Sequence, residues 1–131
     1  MKGRKVALGI LIDTSAWIEF LRGHPGHTAD AVQTALEINQ ARLCGAVKAE
    51  LLQGAKGSKE KEQLRLIFDV VPSLETNEVD WEEAGESLQS LRSKGIALPL
   101  TDALIAAIAK RHDAPVLTLD QHFAHLQVAL A

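Results

Sequence analysis

The chain has 131 residues, 47% of them hydrophobic and 24% charged, which suits one domain with its own core and excludes a disordered or fibrous class. A formal net charge of -3 argues against a generic nucleic-acid binder. One cysteine, Cys44, excludes an internal disulfide, and no apolar run reaches the length of a membrane span, so a cytoplasmic location is expected.

The basic head "MKGRK" meets a short apolar run that ends on Asp13 without a small-residue cleavage site, so a signal peptide is not expected. Leu8 to Ile12 is continuous and apolar and meets cap residues, which predicts a buried strand. Thr14 to Leu21 predicts a helix. "HPGH" at His24 to His27 predicts a loop. Helical spacing returns over Ala29 to Ile38, with Ala29, Val32, Leu36 and Ile38 facing inward. "ARLCGA" predicts a short strand, and "AVKAELLQGA" a helix ending near Gly54. Ser58 is the expected N-cap of an amphipathic helix through Leu64, Ile67 and Phe68. "VVPSLE" predicts a strand. Glu78 to Lys94 predicts a long helix with Val79, Ala84, Leu88 and Leu91 inward and Gly95 as its stop. "LTDALIAAIAKRH" predicts a helix, "APVLTLD" a strand, "QHFAHL" a helical turn and "QVAL" a last strand. Strands alternating with helices imply an α/β fold, with a mostly parallel central sheet flanked by helices on both faces. Without repeats or linkers, residues 1–131 are expected to form one domain.

Two predicted strands end on a carboxylate, Asp13 and Asp120. Ligands of open α/β sheets bind beyond the carboxyl ends of the strands. Asp102 stands in the first turn of a helix whose next residues, Ala103 to Ala109, are apolar on nearly every face, so that helix must be buried. Glu50 has Ala46, Val47, Gln53 and Gly54 as its helical neighbours, which leaves space beside its carboxylate. Singly, each has a structural account: a cap for Asp13 or Asp102, a turn for Asp120, a solvated helix position for Glu50. As a set they demand neutralisation. Two unit charges about 4 Å apart repel by roughly 4 kcal/mol at an effective dielectric near 20. Protons or divalent cations must offset that, and oxygen ligands suit Mg²⁺ or Mn²⁺.

"LIDTSAWIEFLRG", "GAVKAELLQGA", "LTDALIAAIAKRH" and "VLTLDQHF", in this order and spacing, resemble the PIN-domain ribonucleases, in particular the VapC toxins of bacterial and archaeal toxin–antitoxin pairs. The resemblance spans Ile10 to Phe123 and implies a single PIN-like domain. It puts the family's acidic quartet, catalytic and metal-binding, on Asp13, Glu50, Asp102 and Asp120. Thr14 and Ser15 match its small hydroxyl positions after the first Asp, and Thr118 matches a hydroxyl before the last. The chain departs from the family at His122, where a further Asp is usual, which puts the metal coordination in question.

The resemblance further implies a Mg²⁺- or Mn²⁺-dependent endoribonuclease, the toxin of a type II pair, that hydrolyses phosphodiester bonds in single-stranded or loop RNA, tRNA or rRNA, leaving a 5′-phosphate. It implies a homodimer and a small VapB-like antitoxin that occludes the site. Of the 17 acidic residues four make up the quartet, leaving 13 against 14 lysines and arginines, so the remaining surface is no barrier to RNA. Arg22, Lys48, Lys56, Lys110 and Arg111 are candidate phosphate contacts, each also explicable as a solvated surface charge.

Other residues have structural accounts. His24 and His27 lack a matching pair for a metal site, and His125 is structural. Cys44 reads as a small buried hydrophobe, and Trp17 and Trp81 as core or interface anchors rather than base-stacking platforms. Two other functions compete. A haloacid-dehalogenase-type phosphatase also carries an Asp after its first strand, but needs a second where Ser15 stands. A PIN-like scaffold could bind RNA or protein without cutting, and the intact quartet argues against it.

Overall fold

The computed structural model describes residues 9–131, so Leu8 and the head before it lie outside the described residues. Strand β1, Ile10–Ile12, leads into helix α1, Thr14–Leu21, and α2, His27–Glu37. Strand β2, Ala41–Cys44, leads into α3, Gly45–Gln53, and α4, Ser58–Val70. Strand β3, Ser73–Leu74, is followed by α5, Glu78–Ser93, and α6, Leu100–Arg111. Strand β4, Val116–Leu117, runs into a 3₁₀ turn over Gln121–His125.

The four strands form one parallel sheet in the order β3-β2-β1-β4. The chain steps outward from β1 to β3 and then crosses back to β4. Right-handed crossovers therefore put α1 to α4 on one face and α5 and α6 on the other. Ile12 pairs with Leu117, so Asp13 and Thr118 leave the sheet side by side. Gly9 opens β1 at φ 121°, and a Cβ there would stand 2.7 Å from both Arg42 Cγ and the Gln40 carbonyl oxygen. Only glycine lets the backbone pass that close to the entry of β2.

Leu11, Ile12, Trp17, Leu43, Ile105, Ile108 and Val116 are completely buried between sheet and helices. Each such side chain contributes about 1.5–3 kcal/mol of transfer free energy. Helix α6 buries eight consecutive residues, Asp102 to Ala109. Its all-round apolar sequence is thus met on all sides, and Asp102 is carried inward with it.

Several local expectations are corrected. The cap of α4 is Gly57 at φ 90°, with Ser58 already inside the helix, because the approach to this helix needs a left-handed residue. Helix α2 begins at His27, two residues before Ala29, and Ile38 is its exposed C-cap. In α5 the inward stripe is Asp80, Ala84 and Leu91, with Leu88 half-buried, while Val79 is exposed. Asp80 takes the slot expected of Val79. It completes a capping box with Asn77, and Arg111 binds both of its oxygens at 2.8 and 3.0 Å. Burial alone would raise the Asp80 carboxyl, but the Arg111 hydrogen bonds and charge outweigh it and hold the group below the usual range. Trp17 is in the core, whereas Trp81 is half-exposed. The expected strand over "QVAL" is reduced to one bridge between Leu130 and Val116.

Candidate active site

The ends of β1 and β4, the start of α6 and the middle of α3 meet at one edge of the sheet. Asp13 is the N-cap residue of α1, yet its side chain makes no capping bond. Its backbone oxygen receives the first helical N–H groups, from Ala16 and Trp17. The carboxylate is thereby released for other partners: Oδ2 accepts the Ser15 hydroxyl at 3.0 Å and the Thr118 hydroxyl at 2.8 Å. The capping account of Asp13 fails on this geometry. Asp102 likewise caps nothing, since the N-cap of α6 is Pro99.

Thr118 and Ser15 tie the loop after β4 to the start of α1. The Thr118 hydroxyl oxygen accepts the Asp120 N–H at 2.9 Å, and the Ser15 hydroxyl oxygen accepts the Leu119 N–H at 3.0 Å. Asp120 Oδ1 then accepts the His122 N–H at 2.9 Å, which is the turn expected of that carboxylate. Thr14 donates to Glu50 Oε1 at 2.6 Å, linking α1 to α3.

His122 reaches back over this cluster. Its Nδ1 lies 2.7 Å from Asp102 Oδ2 and 3.2 Å from Asp120 Oδ1. One donor atom from each of Asp102, Asp120 and His122 falls within 4.8 Å of the others, close enough to hold one metal ion. Burial raises the Asp102 carboxyl above the ordinary range, and the charges of Asp120 and Asp13 add to it, against the opposing His122 hydrogen bond. The His122 imidazole is raised in turn, first by its hydrogen bond to Asp102 and then by the charges of Asp120 and Asp102.

Six of the eight residues singled out around the quartet, Asp13, Ser15, Asp102, Thr118, Asp120 and His122, thus lie in one hydrogen-bonded group, and Thr14 and Glu50 form a separate pair that adjoins it where Thr14 follows Asp13. The basic candidates separate. Arg22 and Lys56 line a groove with Glu50, Ile18, Gln63 and Leu64, with room for about 200 Å³ of solvent. That groove exists only where α4 packs beside α1 and α3, so no local pattern announced Gln63 or Glu60 in its wall. Lys48 is turned to the Phe68 ring, 5.5 Å from its centroid. Two residues from Glu50, it faces a different side of α3. Lys110 pairs with Glu83 at 3.4 Å, and Arg111 is committed to Asp80. Both stand at the far end of α6, about 13 Å of helical rise from Asp102. Lys48, Lys110 and Arg111 are thus engaged by Phe68, Glu83 and Asp80, and only Arg22 and Lys56 share a groove with Glu50.

The family model for the PIN domain matches residues 10–129. This chain belongs to the PIN-domain family. Its similarity runs to the VapC branch: it is 33% identical over 118 residues to Ribonuclease VapC11 of Mycobacterium tuberculosis, covering 87% of this chain and 88% of that one. It is equally similar to a VapC ribonuclease of Mycobacterium bovis. Among solved structures, VapBC2 of Rickettsia felis bound to a promoter DNA fragment superimposes with a TM-score of 0.76 at 20% identity, over 93% of this chain and 96% of that one. VapC20 of Mycobacterium tuberculosis, a sarcin–ricin loop cleaving toxin, does so with a TM-score of 0.66 at 19% identity, over 94% and 98%. Membership of the PIN family replaces the phosphatase alternative. Among the described residues of this PIN domain no helix is long and apolar enough to cross a membrane.

Proposed function

We propose that this PIN domain is a divalent-metal-dependent endoribonuclease, the toxin of a type II toxin–antitoxin pair. The observation that carries it is the network that ties Asp13, Asp102 and Asp120 together through Thr118 and His122, with Glu50 held by Thr14, the residue next to Asp13, in a chain similar to VapC ribonucleases. A scaffold that never cuts would bear the cost of that like-charge cluster with no use for it.

The donor set fits a hard or borderline cation. It offers carboxylate oxygens and one imidazole nitrogen, and Asp102, raised first by burial and then by the charges of Asp120 and Asp13, is a group whose ionised form a cation would stabilise. Asp102, Asp120 and His122 would hold it, with Asp13 completing the anionic wall. A bound Mg²⁺ or Mn²⁺ would supply Lewis acidity and a water of lowered pKa. The rest is done by the chain. Ser15 and Thr118 fix the Asp13 carboxylate, so its orientation is set before substrate arrives. Thr14 engages only one oxygen of Glu50, and the other is the candidate proton acceptor for the attacking water. Arg22 and Lys56 give the RNA backbone two positive charges along the groove that Glu50 borders.

The similarity to VapC ribonucleases and to VapBC complexes supports an RNA substrate and a small VapB-like antitoxin, and the proposal extends to tRNA or rRNA as that RNA and to a homodimer. A cytoplasmic location and one domain over residues 1–131 complete the proposal. Expressing the chain alone in bacteria tests it: growth arrests, and co-expressing its antitoxin restores growth. A healthy culture holding abundant soluble protein and no partner contradicts the toxin role.

A further inference from the structure

The side chain that closes over Asp102 and Asp120 is an imidazole, not a carboxylate. We propose that His122 is a metal ligand through Nδ1, making this a mixed oxygen–nitrogen centre that selects Mn²⁺ over Mg²⁺. The inference rests on the metal-dependent reading above and goes beyond it in naming the ligand and the ion it favours.

Geometry carries the first part. Nδ1 faces both carboxylates at once, at 2.7 Å from Asp102 Oδ2 and 3.2 Å from Asp120 Oδ1. An imidazole placed only for solubility or helix capping has no reason to address two acidic groups from separate elements. The backbone also holds it there. The His122 N–H is bound to Asp120 Oδ1, and the next residue, Phe123, is buried in the core. The ring remains 44% exposed, so an ion can reach it from solvent.

Chemistry carries the second part. Mg²⁺ is hard, demands oxygen and surrenders its waters reluctantly. Imidazole is a softer donor that suits first-row transition ions. Replacing a carboxylate by imidazole also removes one negative charge, which weakens the electrostatic pull on Mg²⁺ more than it weakens a bond with covalent character. Of the two ions that an all-oxygen site would accept, this site therefore favours Mn²⁺.

A rival account makes His122 a resident counter-cation, bridging the carboxylates until the metal displaces it. The two accounts diverge in a spectrum. Mn²⁺ is titrated into the purified full chain and the bound ion is examined by electron spin-echo envelope modulation. Coordination by His122 gives nitrogen modulation in the wild type that vanishes in His122→Ala. Calorimetry then shows Mn²⁺ binding weakened roughly tenfold or more in His122→Ala, the scale on which even outer partners of metal ligands act. In His122→Asp the preference for Mn²⁺ over Mg²⁺ shrinks by a similar factor. Bound Mn²⁺ without nitrogen modulation in the wild type overturns the assignment, whether or not the variants fold, and leaves the metal-dependent reading standing. Failure of the wild type to bind Mn²⁺ or Mg²⁺ at all overturns both.

Discussion

The Thr118 hydroxyl donates to Asp13 Oδ2 at 2.8 Å across 105 positions of sequence. The bond joins the ends of two adjacent parallel strands, and the same hydroxyl oxygen accepts the Asp120 N–H. Thr118 thus positions two members of the quartet at once. Thr118→Val keeps the shape and removes both bonds. It is expected to lower RNA cleavage about tenfold, as loss of a partner that orients a ligand does. It should cost about 1–2 kcal/mol in urea unfolding, because it leaves Asp120 N–H and Asp13 short of a partner. Thr118→Ser restores both. Failure of Ser to rescue would show that the methyl group, not the hydroxyl, matters.

Asp13→Asn and Asp102→Asn are expected to lower cleavage by roughly a hundredfold or more, the scale of losing a group that manages charge at a reacting centre. Asp13→Asn should not destabilise the metal-free protein, since it removes a charge from a repulsive cluster, whereas Asp102→Asn also gives up the ion pair with His122 and should lower stability at pH 6. Thermal unfolding in EDTA alongside an RNA cleavage assay checks both halves. Near wild-type cleavage by either variant removes that residue from the site.

The metal-free protein should lose stability as pH rises from 6 to 8. The His122 imidazole is raised above 6.5 by its Asp102 partner, so its contribution is complete below that value and is lost as pH climbs through the folded pKa. Asp80 does not enter, since its lowered carboxyl titrates only in acid. Tm measured in EDTA should be higher at pH 6 than at pH 8, and the slope should flatten in His122→Asn. Equal values at the two pH values would mean that the His122–Asp102 pair adds nothing to folding.

The elements that bring Asp13, Asp102 and Asp120 together are legible in the sequence because each is local. A short apolar strand ending on Asp13, another ending near Asp120 and a helix too apolar to be exposed each announce themselves within about ten residues. What was not legible depends on packing between distant segments. Val79 is apolar and was expected inward, but the helix turns Asp80 to the core because Arg111, 31 positions later, neutralises it. That partnership also engages Arg111, and the partner of Lys48, Phe68, likewise arrives from a distant segment, on α4. The direction taken by His122 could not be read either, since it depends on how α6 meets the loop after β4.

Asp80 offers a test of stability apart from function. Asp80→Ala removes the capping box and the partner of Arg111, and is expected to cost roughly 2 kcal/mol. Cleavage per folded molecule should be unchanged, since Asp80 and Arg111 lie at the opposite end of α6 from Asp102. Chemical denaturation with a parallel RNA cleavage assay measures both. A loss of specific activity without loss of stability would move this ion pair into the functional surface.

The most direct test of the central claim is cleavage of structured RNA by the purified chain, in EDTA and after replacement of Mn²⁺ or Mg²⁺. Cleavage that stops in EDTA, returns with the metal and is absent in Asp102→Asn is the predicted result. Cleavage that persists in EDTA, or that Asp102→Asn performs as well as the wild type, would contradict it.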